Sequence, residues 1–173
     1  DPEPERAGLA EPILRRLDTL GIPHAVFVNK IDNARGRIRD LLEVMQPMSS
    51  APLVARQIPI REGEAITGFV DIALERAHRY VPGKESARID MPADLAEREA
   101  SERFHMLETL ADHDDELLET LLMDEQPSLE RVLKDLTDEA RANQVVPVMF
   151  GSSLNGFGIH RLMKMLRHEA PPV

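Results

Sequence analysis

Two short apolar runs, His24-Ala25-Val26-Phe27-Val28 and Val145-Val146-Pro147-Val148-Met149-Phe150, stand far apart in the chain. Each ends abruptly, the first in Asn29-Lys30-Ile31-Asp32 and the second in Gly151-Ser152-Ser153. Runs of this length, apolar at successive positions and partly β-branched, fit strands buried on both faces of a parallel sheet. Helical patterns flank them. Ala7, Leu9, Ile13, Leu14, Leu17 and Leu20 recur at near-helical spacing and stop at Gly21. Ile38, Leu41, Leu42 and Met45 share one face of a second helix over residues 35–45, closed by Pro47. After the second run, Ile159, Leu162, Met163 and Leu166 mark a last helix, with Pro171-Pro172 at its end.

Between these pieces the pattern changes. Pro52-Leu53-Val54-Ala55, Gln57-Ile58-Pro59-Ile60 and Ile66-Thr67-Gly68-Phe69-Val70-Asp71-Ile72 read as extended segments of one small sheet, with a turn at Gly63. Residues 93–142 then carry three helical patterns, for which Asp114 and Ser128 are the expected N-caps. Of the 31 acidic residues in the chain, 16 fall in residues 91–140, against 4 basic ones, so this segment holds more than the whole net charge of -10. Such a run is either a solvated helix face or a docking surface for a basic protein.

Composition excludes several classes of function. With no cysteine there is no disulfide frame and no thiolate metal site. The acid excess and 3% aromatic content do not suit a nucleic-acid-wrapping surface. No apolar run approaches the roughly 20 residues that span a bilayer. Asp112-His113-Asp114-Asp115-Glu116 lacks the glycine and distal glutamate of a calcium loop and reads as a helix junction. Ser152 and Ser153 lack the flanking pattern of a nucleophile elbow. No catalytic and no metal-ligating residue is expected.

The chemistry concentrates at Asn29-Lys30-Ile31-Asp32. A carboxylate at the carboxyl end of a parallel strand can accept from the N1-H and the exocyclic amine of guanine, where adenine offers an acceptor and no amine. Lys30 can lay its stem over a base, and Asn29 can tie neighbouring loops or reach the base edge. A helix cap is the plainer reading of the same four residues. The second strand adds weight, because Gly151, Ser152, Ser153 and Leu154 bring backbone N-H groups that can donate to guanine O6.

On these motifs, together with Gln57-Ile58-Pro59-Ile60, Gly68-Phe69-Val70-Asp71 and Asp114-Asp115-Glu116-Leu117-Leu118-Glu119, the sequence resembles elongation factor G over essentially its whole length. The resemblance implies an α/β fold, a partial P-loop GTPase (G domain) interrupted by an α+β inserted subdomain. Residues 1–49 and 144–173 would belong to the GTPase domain and 50–143 to the insert. It further implies a cytoplasmic translation factor that binds GTP or GDP and Mg2+ and acts on the ribosome, with the insert meeting the ribosomal stalk protein. Asn29, Lys30, Asp32, Gly151, Ser152, Ser153 and Leu154 would make the guanine contacts. The sequence departs from the family at Ile31 and Asn33, where Met and Arg are usual, and at Ser153, where Ala is usual, which points to a divergent paralogue. No Gly-x-x-x-x-Gly-Lys-Ser/Thr loop occurs, nor an Asp-x-x-Gly at the end of a strand. These residues are therefore expected to be a piece of a longer GTPase, unable to hydrolyse GTP alone, with the Mg2+ ligands elsewhere.

Overall fold

The computed structural model describes residues 1–171; Pro172, half of the expected helix stop, lies outside them. Its first strand, β1 (Val26–Val28), lies parallel to β7 (Val146–Phe150), with Val26 opposite Val148 and Val28 opposite Phe150. The expected parallel pair is thus formed. A third strand, β2 (Leu53–Ala55), pairs parallel to the other side of β7, giving the order β1-β7-β2. All five residues of the central strand are buried. Pro147 is tolerated there because Gly151 N-H donates to the Val28 carbonyl, so odd-numbered residues of β7 face β1. By that register the N-H missing at Pro147 would fall opposite His24, before β1 begins.

Leu53–Ala55 was expected in the small sheet and instead completes the parallel one. The small sheet itself is antiparallel, in the order β3 (Gln57–Glu62), β4 (Ala65–Asp71), β5 (Arg76–Arg79) and β6 (Ala87–Ile89). Gly63, at φ 63°, turns β3 into β4 as the sequence indicated. Arg56 joins the two sheets. Its N-H donates to Val148, its carbonyl accepts from Ile72, and its buried guanidinium grips both oxygens of Glu169 at 2.6 and 3.2 Å.

The helices largely follow their apolar spacing. The first pattern divides into a 3-10 stretch, Pro4–Ala10, and α1 (Glu11–Leu20). Pro12 has no N-H for the Gly8 carbonyl, which accepts from Glu11 instead, so the α-ladder restarts there. Gly21, at φ 61°, ends α1 with hydrogen bonds from Gly21 and Ile22 back to its last turn. Helix α2 (Ile38–Met45) starts later than its pattern, because the carbonyls of Ala34 and Gly36 are taken by Arg61. In α4 (Asp115–Leu122) and α5 (Leu129–Arg141) the expected caps are in place: Asp114 accepts from Leu117 N-H and Ser128 from Arg131 N-H. Helices α3 (Ala96–Ala111) and α6 (Ile159–Glu169) complete the chain.

Two apolar clusters result. One joins β3, β4 and β5 to α3, α4 and α5; the other lies around β1, β7, α1 and α2 and takes in Ile66, Phe69 and Tyr80 from the antiparallel sheet. The acidic helices are not acidic only outside. Glu99, Asp135 and Glu139 are buried. Asp135 has a counter-ion in Arg131, whose guanidinium also holds Asp114 and Glu116. Glu139 has none: both its carboxyl oxygens are enclosed without a hydrogen-bond partner among the described residues. Burial, with Asp135, Asp114, Asp112 and Asp138 nearby, pushes its carboxyl up to about 8.

Candidate functional site

Because β1 and β7 are parallel neighbours, the loops that follow them leave from the same end of the sheet. The first loop turns sharply. Lys30 adopts the left-handed conformation at φ 63° and ψ 36°, and a 3-10 turn over Ile31–Asn33 follows. A non-glycine residue in this region costs about 1 kcal/mol and persists where surrounding contacts over-determine it. Here the anchor is Ile31, fully buried, whose N-H donates to the Gly151 carbonyl at 2.9 Å. With Ile31 inward, Lys30 and Asp32 on either side are exposed. The Asp32 carboxylate accepts no hydrogen bond and forms no ion pair among the described residues, while Lys30 Nζ lies 3.4 Å from Asp1.

Asn29 binds the two loops together, 124 residues apart in sequence. Its Nδ2 donates to Ser153 Oγ at 3.0 Å, and its Oδ1 accepts from Ser153 N-H at 2.9 Å and from Lys30 N-H at 2.8 Å. One amide therefore fixes both the strained turn and the facing loop. The second loop is closed at its base, where Ser152 and Phe157 exchange backbone hydrogen bonds at 2.9 Å and Asn155 donates to Ser152 Oγ. Gly151 is required for space: a Cβ would stand 2.2 Å from the Phe157 carbonyl oxygen and 2.8 Å from the Phe27 ring.

All seven sequence-predicted residues are thus on two adjoining loops, in unequal roles. The N-H groups of Gly151, Ser152 and Ser153 are already engaged by protein acceptors. The Leu154 N-H has no acceptor among the described residues, and the residue is 90% exposed. Ser152 is buried and structural. Arg61 and Tyr80, which hold the loops from outside, and Phe157, at the base of the second loop, belong to no binding motif in the sequence. Among the described residues no cluster of three or more His, Asp or Glu could hold a metal ion, and no helix is long and apolar enough to cross a membrane.

The parallel sheet with its helices and the added antiparallel sheet are those of part of a G domain. Residues 7–172 match the family described as the elongation factor Tu GTP binding domain, and the chain belongs to that family. It is 39% identical over 160 residues to an elongation factor G-like protein of Synechocystis sp. (strain ATCC 27184 / PCC 6803 / Kazusa), covering 92% of this chain and 24% of that protein. A crystal structure from Thermus thermophilus is similar with a TM-score of 0.79 at 27% identity, over 95% of this chain and 24% of that one. The chain therefore spans about a quarter of the length of these relatives.

Proposed function

We propose that these residues supply guanine recognition to the GTPase domain of an elongation factor G-like translation factor, a cytoplasmic protein that binds and hydrolyses GTP on the ribosome. The observation that carries this reading is the pair of reciprocal Asn29–Ser153 hydrogen bonds, with an exposed and unpartnered Asp32 carboxylate on the turn that Asn29 opens. Asp32 accepts from guanine N1-H and the exocyclic amine. The Leu154 N-H, a loop amide without an acceptor among the described residues, donates to O6, and the Lys30 stem covers one face of the base. Adenine would leave the carboxylate facing an acceptor, a mismatch worth about 1–3 kcal/mol or more. Phosphate binding, Mg2+ and hydrolysis are assigned to no residue of this sequence, which has neither a phosphate loop nor a metal-holding cluster among the described residues.

The test is a nuclear magnetic resonance titration of the chain with guanosine, adenosine and xanthosine at millimolar concentration. Guanosine should shift the amides of Asp32 and Leu154, and adenosine should not. Asp32→Asn should transfer the preference to xanthosine, whose C2 carbonyl accepts where guanine donates. An equal response to adenosine, or an unchanged guanosine response in Asp32→Ala, would sink the reading.

The acidic insert supports a second role, as a docking face for a basic patch on a ribosomal protein, for which the stalk protein is the candidate. What favours it is α4, where Leu118, Leu122 and Met123 are exposed beside Asp115 and Glu119. Steering by these charges predicts that Asp115→Lys with Glu119→Lys slows association with purified stalk protein at low salt. Unchanged association rates would reject it.

A further inference from the structure

The two base-side loops are held by more than the parallel sheet. Arg61, on β3, donates to the Gly36 carbonyl at 2.6 Å and to the Ala34 carbonyl at 3.4 Å, closing over the segment that leaves the Asp32 turn. Beneath that turn, Ile66 and Phe69 of β4 share an apolar cluster with Ile31, Ala34 and Phe150. The second loop is gripped from the same sheet. The Phe157 ring lies flat on Tyr80, with centroids 4.5 Å apart and planes 2° from parallel. Tyr80 in turn leans on Phe69 at 5.7 Å. A chain of rings thus runs from the antiparallel sheet to the residue that pinches the Ser153 loop shut.

We infer that the antiparallel sheet is the platform that sets the relative position of the two base-reading loops, with Arg61, Tyr80 and Phe157 as positioning residues for base discrimination. The inference deepens the guanine reading proposed above and rests on it for its functional consequence. A loop fixed only at its ends would order itself as the base arrived, at an entropic cost; stacking Phe157 on a buried ring removes that freedom beforehand. Discrimination by hydrogen bonds to a base edge also depends on placement, since a misfit of about 1 Å loses much of the effect. Any macromolecule that tilts the antiparallel sheet would therefore alter base selectivity through Arg61 and Tyr80.

The experiment combines amide hydrogen exchange with titration by guanosine and by inosine, which lacks the exocyclic amine, on the whole chain. Tyr80→Phe keeps the ring and loses only a hydroxyl without a partner, so it should behave as the wild type. Tyr80→Leu and Phe157→Leu should speed exchange at Ser153 by about tenfold, while the buried Val146 amide keeps its rate. Arg61→Met should do the same at Ala34. In these three variants the guanosine-to-inosine affinity ratio should fall toward one. Unchanged exchange at Ser153 and Ala34, or exchange that rises in step with Val146, overturns the platform. Should Tyr80→Leu fail to fold, Phe157→Leu and Arg61→Met carry the same readouts from less buried positions. A wild-type chain that does not prefer guanosine to inosine defeats the guanine reading instead, and the exchange rates still decide the platform.

Discussion

Replacing Asn29 tests how the two loops are joined. Asn29→Ala removes three hydrogen bonds at once: to Ser153 Oγ, from Ser153 N-H and from Lys30 N-H. Asn29 is only half-buried, so each bond contributes at the lower end of the usual range, and the three together amount to about 2 kcal/mol. With a urea m-value of roughly 2 kcal/mol/M, the unfolding midpoint should drop by about 1 M. Ser153→Ala removes only the bond to Oγ and leaves its backbone N-H on Asn29, so it should cost about 0.5–1 kcal/mol. The geometry makes these costs non-additive. Once Asn29 is gone, Ser153 Oγ has no partner left to lose, and the double variant should match Asn29→Ala to within about 0.5 kcal/mol. Urea denaturation followed by far-ultraviolet circular dichroism on the four proteins completes the cycle. Strict additivity, or a cost for Ser153→Ala equal to that of Asn29→Ala, would refute the joint described above.

Glu139 predicts an unusual pH dependence. Its carboxyl sits near 8 in the folded chain against an ordinary 4.5, so between those values the unfolded chain has released a proton that the folded chain still holds. Stability therefore falls as pH rises from about 4.5 to about 8. Glu139→Gln should be close to neutral at pH 5 and more stable than the wild type by about 2 kcal/mol at pH 8, less than the full shift would give because water and side chains relax around the charge. Thermal unfolding at the two pH values reads this, and an equal difference at both contradicts it. Gly151→Ala should cost about 1–3 kcal/mol, because the new methyl meets a backbone carbonyl that cannot swing aside. Faster exchange at the Ser152 amide should accompany the loss, and a stability within error of wild type would show that the close approach is avoidable.

Much of the framework was legible because it is local. Val26–Val28 and Val146–Phe150 announce themselves by composition, and Gly21, Gly63, Asp114 and Ser128 by the backbone geometry they serve. Asn29, Lys30 and Asp32 were legible as a motif for the same reason. The short strands β5 and β6, at Arg76–Arg79 and Ala87–Ile89, were not, since their few residues are largely charged or small and carry little apolar signal. Nor can three extended residues such as Leu53–Ala55 declare which sheet they join, a choice made by β7 much later in the chain. Asp135 and Glu139 look like any exposed helical acid until α5 is packed.

The same limit explains the insert. Chain order alone led to the expectation that residues 50–143 form an insert separate from the GTPase domain. Divided by packing, Ile66, Phe69 and Tyr80 from that interval are part of the cluster that seats Ile31, and Ile31 is the anchor that forces Lys30 into its left-handed turn and leaves Asp32 outward. A smaller side chain at Phe69 would open a cavity directly beneath the Asp32 turn, and cavities in such clusters are relieved by shifts of whatever lies over them. The motif at residues 29–32 thus points to the proposed chemistry, while the geometry that chemistry would need is supplied by residues outside it.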